Sequence, residues 1–169
     1  GYIEIDTDND ATGTFCNVYF EKMRYAISVT CCGGYSDPIT IDNANFNNID
    51  YIFNNYGGSD VSVRDSVLNK FIYAASRADK VFYNCLFTNF EYVLSSTERV
   101  SIYNSDIIGN GSNTCLWAGR GTLENSRVTN CGIAMRANYG GLTMRYNDIM
   151  SSDVAIIFNS YSSSATVYG

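Results

Sequence analysis

The chain has 169 residues, 46% of them hydrophobic and 17% charged, and carries a net charge of -6. That length and composition fit one domain with a continuous core, and the acidic balance argues against nucleic acid or an anionic membrane surface as partner. No apolar run approaches the roughly eighteen residues that cross a bilayer, and no signal-peptide pattern opens the chain.

In chain order, residues 1–14 read as a lead-in or N-terminal cap. Within them IDTDND (5–10) resembles the D-x-D-x-D start of a calcium loop. The Gly after the third Asp is missing, and position 17 is Asn where the distant Glu belongs, so no metal is expected. From residue 15 a phrase recurs: apolar, any, Asn, small, any, apolar. Its copies are FCNVYF (15–20), IDNANF (41–46), VRDSVL (63–68), FYNCLF (82–87), IYNSDI (102–107), LENSRV (123–128) and MRYNDI (144–149). Asp65 and Tyr146 replace the Asn, and Val18 and Asn147 replace the small residue. Starts at 15, 41, 63, 82, 102, 123 and 144 give steps of 19 to 26, and the closing ATVYG (165–169) falls near an eighth start.

A second phrase interleaves with the first: FEKMRYAI (20–27), FNNIDYIF (46–53), LNKFIYAA (68–75), FTNFEYVL (87–94) and VTNCGIAM (128–135). Its fourth place is always apolar (Met23, Ile49, Phe71, Phe90, Cys131), and its sixth is Tyr25, Tyr51, Tyr73, Tyr92 and then Ile133. Steps near twenty with drifting length mark a solenoid whose loops vary in size. Inside each step the period is two, as in Ile39-Thr40-Ile41 and Val61-Ser62-Val63. Paired glycines at 33–34, 57–58 and 140–141, and GRG at 119–121, punctuate the strands.

These features predict an all-β, single-stranded parallel β-helix of about seven to eight rungs over 15–169. The two phrases together resemble the right-handed β-helix of the pectate-lyase-like superfamily over about 15–168, and that resemblance supplies the handedness. Adjacent rungs stand about 4.8 Å apart, so each repeat position becomes a ladder. Places 23, 25 and 27 are more apolar than those between them, which predicts that they face inward and that the Tyr ladder is a stacked aromatic core. The Asn column (Asn17, Asn43, Asn84, Asn104, Asn125) is expected to bond up and down the stack at a turn.

Six Cys and no His give neither CxxC nor zinc-ligand spacing. Cys85 and Cys131 fall at apolar or small repeat places and Cys31 and Cys32 are adjacent, so free thiols in a reducing cytoplasm are expected. The missing His also excludes Ser-His-Asp and Cys-His catalysis within the chain. GxGxxG and P-loop patterns are absent, and no cofactor is expected.

Chemistry would then sit on outward columns. Asp42, Arg64, Tyr83, Tyr103, Glu124 and Arg145 form one, and Asp106, Arg127 and Asp148 another; alternating signs predict weak cross-rung ion pairs. A third, at the turn before successive rungs and in register to within one residue, reads Asp37, Asp60, Asp79 and Glu98, flanked by Arg77, Lys80 and Arg99. Like charges a rung apart need a cation, neighbouring bases or a use, and carboxyls at such spacing suit glycoside hydrolysis. Asp is also a favoured turn residue, which explains the same column without catalysis. Asp50 and Glu91, two rungs apart, are a weaker candidate pair. Tyr83, Tyr103 and Trp117, with Arg77, Lys80 and Arg99, are the candidates for contact with a glycan.

A Tyr- and Asn-rich β-helix of this kind, acidic and with no signal-peptide pattern, resembles those of bacteriophage tailspikes and tail fibres. The resemblance implies assembly in the host cytoplasm, incorporation into the virion tail, parallel homotrimers and recognition or cleavage of bacterial surface polysaccharide. The chain departs from the pectate-lyase calcium and arginine arrangement and lacks the polygalacturonase His motif. The leading expectation is a polysaccharide-binding tail module. A glycan hydrolase or lyase, a structural shaft without ligand and a secreted cell-surface adhesin are the alternatives.

Overall fold

A computed structural model describes residues 3–6, 13–30, 39–55, 60–73, 79–91, 95–137, 140–158 and 164–168. The early part holds β1 (Ile3–Asp6), β2 (Thr14–Cys16), β3 (Tyr19–Thr30), β4 (Ile39–Asp42), β5 (Asn45–Asn55) and β6 (Val61–Arg64). The middle holds β7 (Val67–Tyr73), β8 (Lys80–Tyr83), β9 (Leu86–Thr88), β10 (Ser95–Tyr103), β11 (Asp106–Ile108) and β12 (Thr114–Glu124). Then come β13 (Arg127–Thr129), β14 (Ile133–Ala137), β15 (Gly141–Arg145), β16 (Asp148–Met150), β17 (Val154–Phe158) and β18 (Ser164–Tyr168).

Every described pairing is parallel, and the strands stack into two long sheets, β1-β3-β5-β7-β9-β11-β13-β16 and β17-β14-β12-β10-β8-β6-β4-β2, with β15 and β18 extending the second. The chain is a parallel β-solenoid. About five turns close fully, fewer than the seven to eight rungs expected, since β1, β2, β17 and β18 each pair on one side only.

Register follows the repeat. Phe15, Ile41, Val63, Phe82, Ile102, Leu123, Met144 and Val167 occupy one column. Phe20, Phe46, Leu68, Phe87, Ile107, Val128 and Ile149 occupy another. Nearly all are buried, and Phe20 stacks on Phe46 with centroids 4.8 Å apart and planes 4° apart. Each fully buried side chain of this size stabilises the fold by about 1.5–3 kcal/mol, so the two columns supply the continuous core.

The corners explain the Asn. All thirteen described non-glycine residues with positive φ fall at two repeat places. One comprises Asn17, Asn43, Asp65, Asn84, Asn104, Asn125 and Tyr146; the other comprises Lys22, Asn48, Lys70, Asn89, Asn130 and Ser151. A left-handed residue turns the strand through a corner and restores the next side chain to the interior. Asn tolerates that conformation better than other side-chain-bearing residues. The expected ladder is present: Asn43 Nδ2 donates to Asn17 Oδ1, Asn84 Nδ2 to Asp65 Oδ1 and Asn125 Nδ2 to Asn104 Oδ1, each at 2.6 Å.

The small place next to it forms a second, buried ladder that composition alone does not reveal. Ser66, Ser105 and Ser126 accept the backbone N–H of Ala44, Cys85 and Ser105 at 3.0, 3.0 and 3.1 Å. Each hydroxyl donates in turn to the carbonyl two residues before it, Arg64, Tyr103 and Glu124. Asn147 takes the same role through Oδ1, accepting the Ser126 N–H at 2.9 Å. Buried polar groups are tolerated there because both hydroxyl functions are satisfied.

Two expectations are corrected. Tyr25 and Tyr51 lie in register with centroids 5.3 Å apart, yet both are half-buried and do not form the core. Ile27 and Phe53 are buried as expected, but so are Ala26 and Ile52 between them and the Tyr, so the alternation running from Met23 and Ile49 does not continue. The Tyr92 member lies outside the described residues, as do Cys31 and Cys32. Cys115 and Cys131, expected as free thiols, form a disulfide across a sequence separation of 16, with Cα atoms 5.9 Å apart. Both sit at inward places on neighbouring passes of the chain, so their side chains converge. Cys16 and Cys85 are free, one exposed and one buried.

Candidate functional site

The acidic turn column is not built as its spacing suggests. Val61 N–H donates to the Asp79 carbonyl, and Ile39 N–H to that of Asp60, so Asp60 and Asp79 do stand on neighbouring rungs. Val100 pairs with Lys80, however, which places Arg99 rather than Glu98 next in the column, and Arg99 pairs with Arg120 beyond it. The step of 20 between Phe82 and Ile102 sets this register. Arg99 Nη1 lies 3.9 Å from Asp79 Oδ2, a neighbouring base that answers the like-charge problem without a ligand. Exposed pairs of this kind contribute well under about 1 kcal/mol. Asp37 and Arg77 lie outside the described residues.

Lys80 is removed from the glycan-facing set. It occupies an inward column between Val61 and Val100 and is 1% exposed. In the same column Gly121 approaches Val100 so closely that any Cβ would collide with the Val100 carbonyl oxygen. Trp117 is half-buried on another face and is covered by the Arg136 guanidinium, 5.3 Å from its ring centroid. That contact occupies one face of the indole.

The Tyr83 column survives as read. Asp42, Arg64, Tyr83, Tyr103, Glu124 and Arg145 are in register. Tyr83 is 47% exposed, Tyr103 is half-buried, and their centroids stand 6.0 Å apart with planes 34° apart. Of the ion pairs expected on the outward columns, Arg127 to Asp106 forms, with Nε and Nη2 on the two carboxylate oxygens at 3.1 and 2.8 Å. Asp42 and Arg64 do not pair: the buried Asp42 Oδ1 has no hydrogen-bond partner. Arg145 lies over Tyr168, 5.2 Å from its centroid.

Two grooves lie near this column. The first, about 500 Å³, is lined by Ser62, Arg64, Tyr83, Asn84 and Asn104. The second, about 670 Å³, shares Asp65, Asn84 and Asn104 with it and continues past Asn125, Arg127 and Asp148. Aromatic faces, amides and a few charges along an open trough are the groups that bind polyhydroxylated chains.

A separate groove of about 640 Å³ brings Asp50 and Glu91 together with Lys70, Asn89, Asn110 and Ser112. The weaker of the two carboxylate candidates therefore lines a groove. Residue spacing alone cannot reveal this, because the groove depends on the corner at Asn48, Lys70 and Asn89. Among the described residues no group of three or more Cys, Asp, Glu or His could hold a metal, and no helix is long and apolar enough to cross a membrane.

No protein-family model matches this chain, and no curated protein or solved structure matches it at a significant level.

Proposed function

We propose that the protein is a bacteriophage tail spike or fibre module that binds bacterial surface polysaccharide along the Tyr83–Tyr103 grooves. The observation that carries the reading is the pair of Tyr rings on successive rungs of one outward column, Tyr83 lining an open groove beside the Asn ladder. A repeating polymer is read well by a repeating surface, since each rung presents the same amide at one interval of about 4.8 Å. Homotrimeric assembly in the virion belongs to the same proposal. The Cys115–Cys131 disulfide favours an oxidising destination such as a virion or cell surface over a lifetime in the host cytoplasm.

The test is binding to a panel of bacterial capsular, O-antigen and wall polysaccharides, repeated with Tyr83→Ala and Tyr103→Ala. A bound polymer whose affinity falls about 3- to 10-fold in either variant supports the site. Failure of the unaltered chain to bind any polymer refutes the function, and undiminished binding by both variants refutes the site.

Depolymerisation is the second reading, favoured by the shared groove of Asp50 and Glu91. Two rungs separate their backbones by about 9.6 Å, close to the roughly 6.5–9.5 Å of inverting glycoside hydrolases. Release of reducing ends from one polymer, abolished in Asp50→Asn and in Glu91→Gln with folding intact, supports it. Release that persists in both variants refutes it.

A further inference from the structure

The turn Gly109–Asn113 carries an Asn-Gly pair, Asn110–Gly111, on the exposed wall of the Asp50/Glu91 groove. Asn followed by Gly is the dipeptide in which a backbone nitrogen most readily attacks the preceding side chain, because Gly offers no Cβ to obstruct it. Here both reacting groups are engaged in other hydrogen bonds. Gly111 N–H donates to the Asn130 carbonyl at 2.7 Å, so the nucleophile is engaged by the neighbouring rung. Asn110 Oδ1 accepts Ser112 N–H, Ser112 Oγ–H and Asn113 N–H, each at 3.1 Å, which turns the carboxamide toward those residues. Asn113 is itself anchored, its Nδ2 donating to the Phe90 carbonyl at 2.8 Å.

The anchor on the other side is Asn130. Its Nδ2 donates to the Gly109 carbonyl at 2.9 Å, and its chain neighbour Cys131 is bonded to Cys115, the second residue of β12, which follows the turn directly. The disulfide thus ties the segment between β13 and β14 that engages Gly111 to the start of the strand leaving the turn.

We propose that Asn110 is a latent deamidation site, kept intact by the Asn130, Ser112 and Asn113 hydrogen bonds and unlocked when a thiol reductant, itself oxidised to a disulfide, converts Cys115–Cys131 to two thiols. In the reaction the Gly111 nitrogen bonds to Asn110 Cγ and gives up its proton. The Cγ–Nδ2 bond breaks, and ammonia leaves with that proton. Water then opens the five-membered succinimide at either carbonyl, giving aspartate or isoaspartate. Either product adds a negative charge to a groove wall that already holds Asp50 and Glu91, and isoaspartate also lengthens the backbone of the turn. The modification would weaken any anionic ligand in that groove and leave the Tyr83–Tyr103 trough, on a different column, unchanged.

The experiment incubates the folded, disulfide-bonded protein at mildly alkaline pH beside the same protein after reduction, following Asn110 by peptide mass and isoaspartate content. The expected result is an amide that persists in the oxidised protein and is lost at least about tenfold faster after reduction, since several hydrogen bonds must open together. Circular dichroism tracks the strands in both samples. Equal loss in the two states, with strands retained, overturns the proposal. So does loss in the oxidised protein as fast as in the urea-unfolded chain. If reduction abolishes the strand signal, the comparison passes to oxidised Ser112→Ala, which removes one of the three bonds to Oδ1. A two- to tenfold acceleration over the unaltered chain, on the order expected for one bond, supports the proposal, and an unchanged rate overturns it.

Discussion

Replacing Ser105 with Ala isolates one step of the buried serine ladder. The hydroxyl accepts Cys85 N–H at 3.0 Å and donates to the Tyr103 carbonyl at 2.7 Å. Its removal does not strand the carbonyl, which also accepts Asn84 N–H at 3.0 Å. It does strand the Cys85 N–H, because both Cys85 and Ser105 are buried, at 3% exposure each. Leaving one buried donor unsatisfied costs about 1–3 kcal/mol, and the void left by one oxygen adds little. Ser152→Ala is the control: its hydroxyl donates to the Met150 carbonyl at 3.3 Å in an exposed setting, so a change within about 0.5 kcal/mol is expected. Urea unfolding of the oxidised protein reads the difference as a shift of midpoint at constant slope. A Ser105→Ala loss no larger than that of Ser152→Ala would show that the ladder does not stabilise the stack, and the reasoning would fail.

At the left-handed corner, Asn84→Gly keeps the backbone accessible and loses the amide bond to Asp65, for a cost of about 0.5–1.5 kcal/mol; Asn84→Val should cost at least about 1 kcal/mol more, by the same unfolding assay. Cys131→Ser opens a 16-residue span and is expected to lower stability by about 3 kcal/mol, measured against the oxidised parent. Burial pushes the Cys85 thiol from 9.0 up to about 11. The folded chain therefore holds this proton more tightly than the unfolded chain. Its contribution is complete below pH 9 and falls as pH rises from about 9 to about 11, so Cys85→Ala should flatten that part of the stability profile. Over the same range an alkylating reagent should label the exposed Cys16 well before Cys85, and equal labelling would contradict the burial.

The fold was legible because two chemical demands recur in the sequence at one interval. A corner wants Asn, and the places two before and three after it want an inward apolar residue; both were visible at Asn17, Asn43 and Asn84. The Ser column was seen only as small, since the reason for Ser at 66, 105 and 126 is a partner on the next rung rather than anything local. The Tyr ladder misled because period two holds only along a straight strand, and burial of both Ile52 and Phe53 marks a bend. Glu98 was aligned with Asp79 only to within one residue of register, and the pairing of Val100 with Lys80 places Arg99 there, which changes the chemistry of the column. Cys115 lies outside the copies of either phrase, so no spacing pointed to its bond with Cys131.

The serine ladder also has a direction. Each hydroxyl serves an N–H one rung earlier in the chain, and meets its own second requirement within its rung. A rung is therefore completed by the one synthesised after it. A chain emerging from the ribosome carries one unmet donor at its growing tip, which each new turn satisfies as it opens the next. Shortening such a stack is not symmetric: cutting at Ser105 from the C-terminal side orphans Cys85, whereas removing the rungs before Ser105 leaves its hydroxyl still bonded to Tyr103.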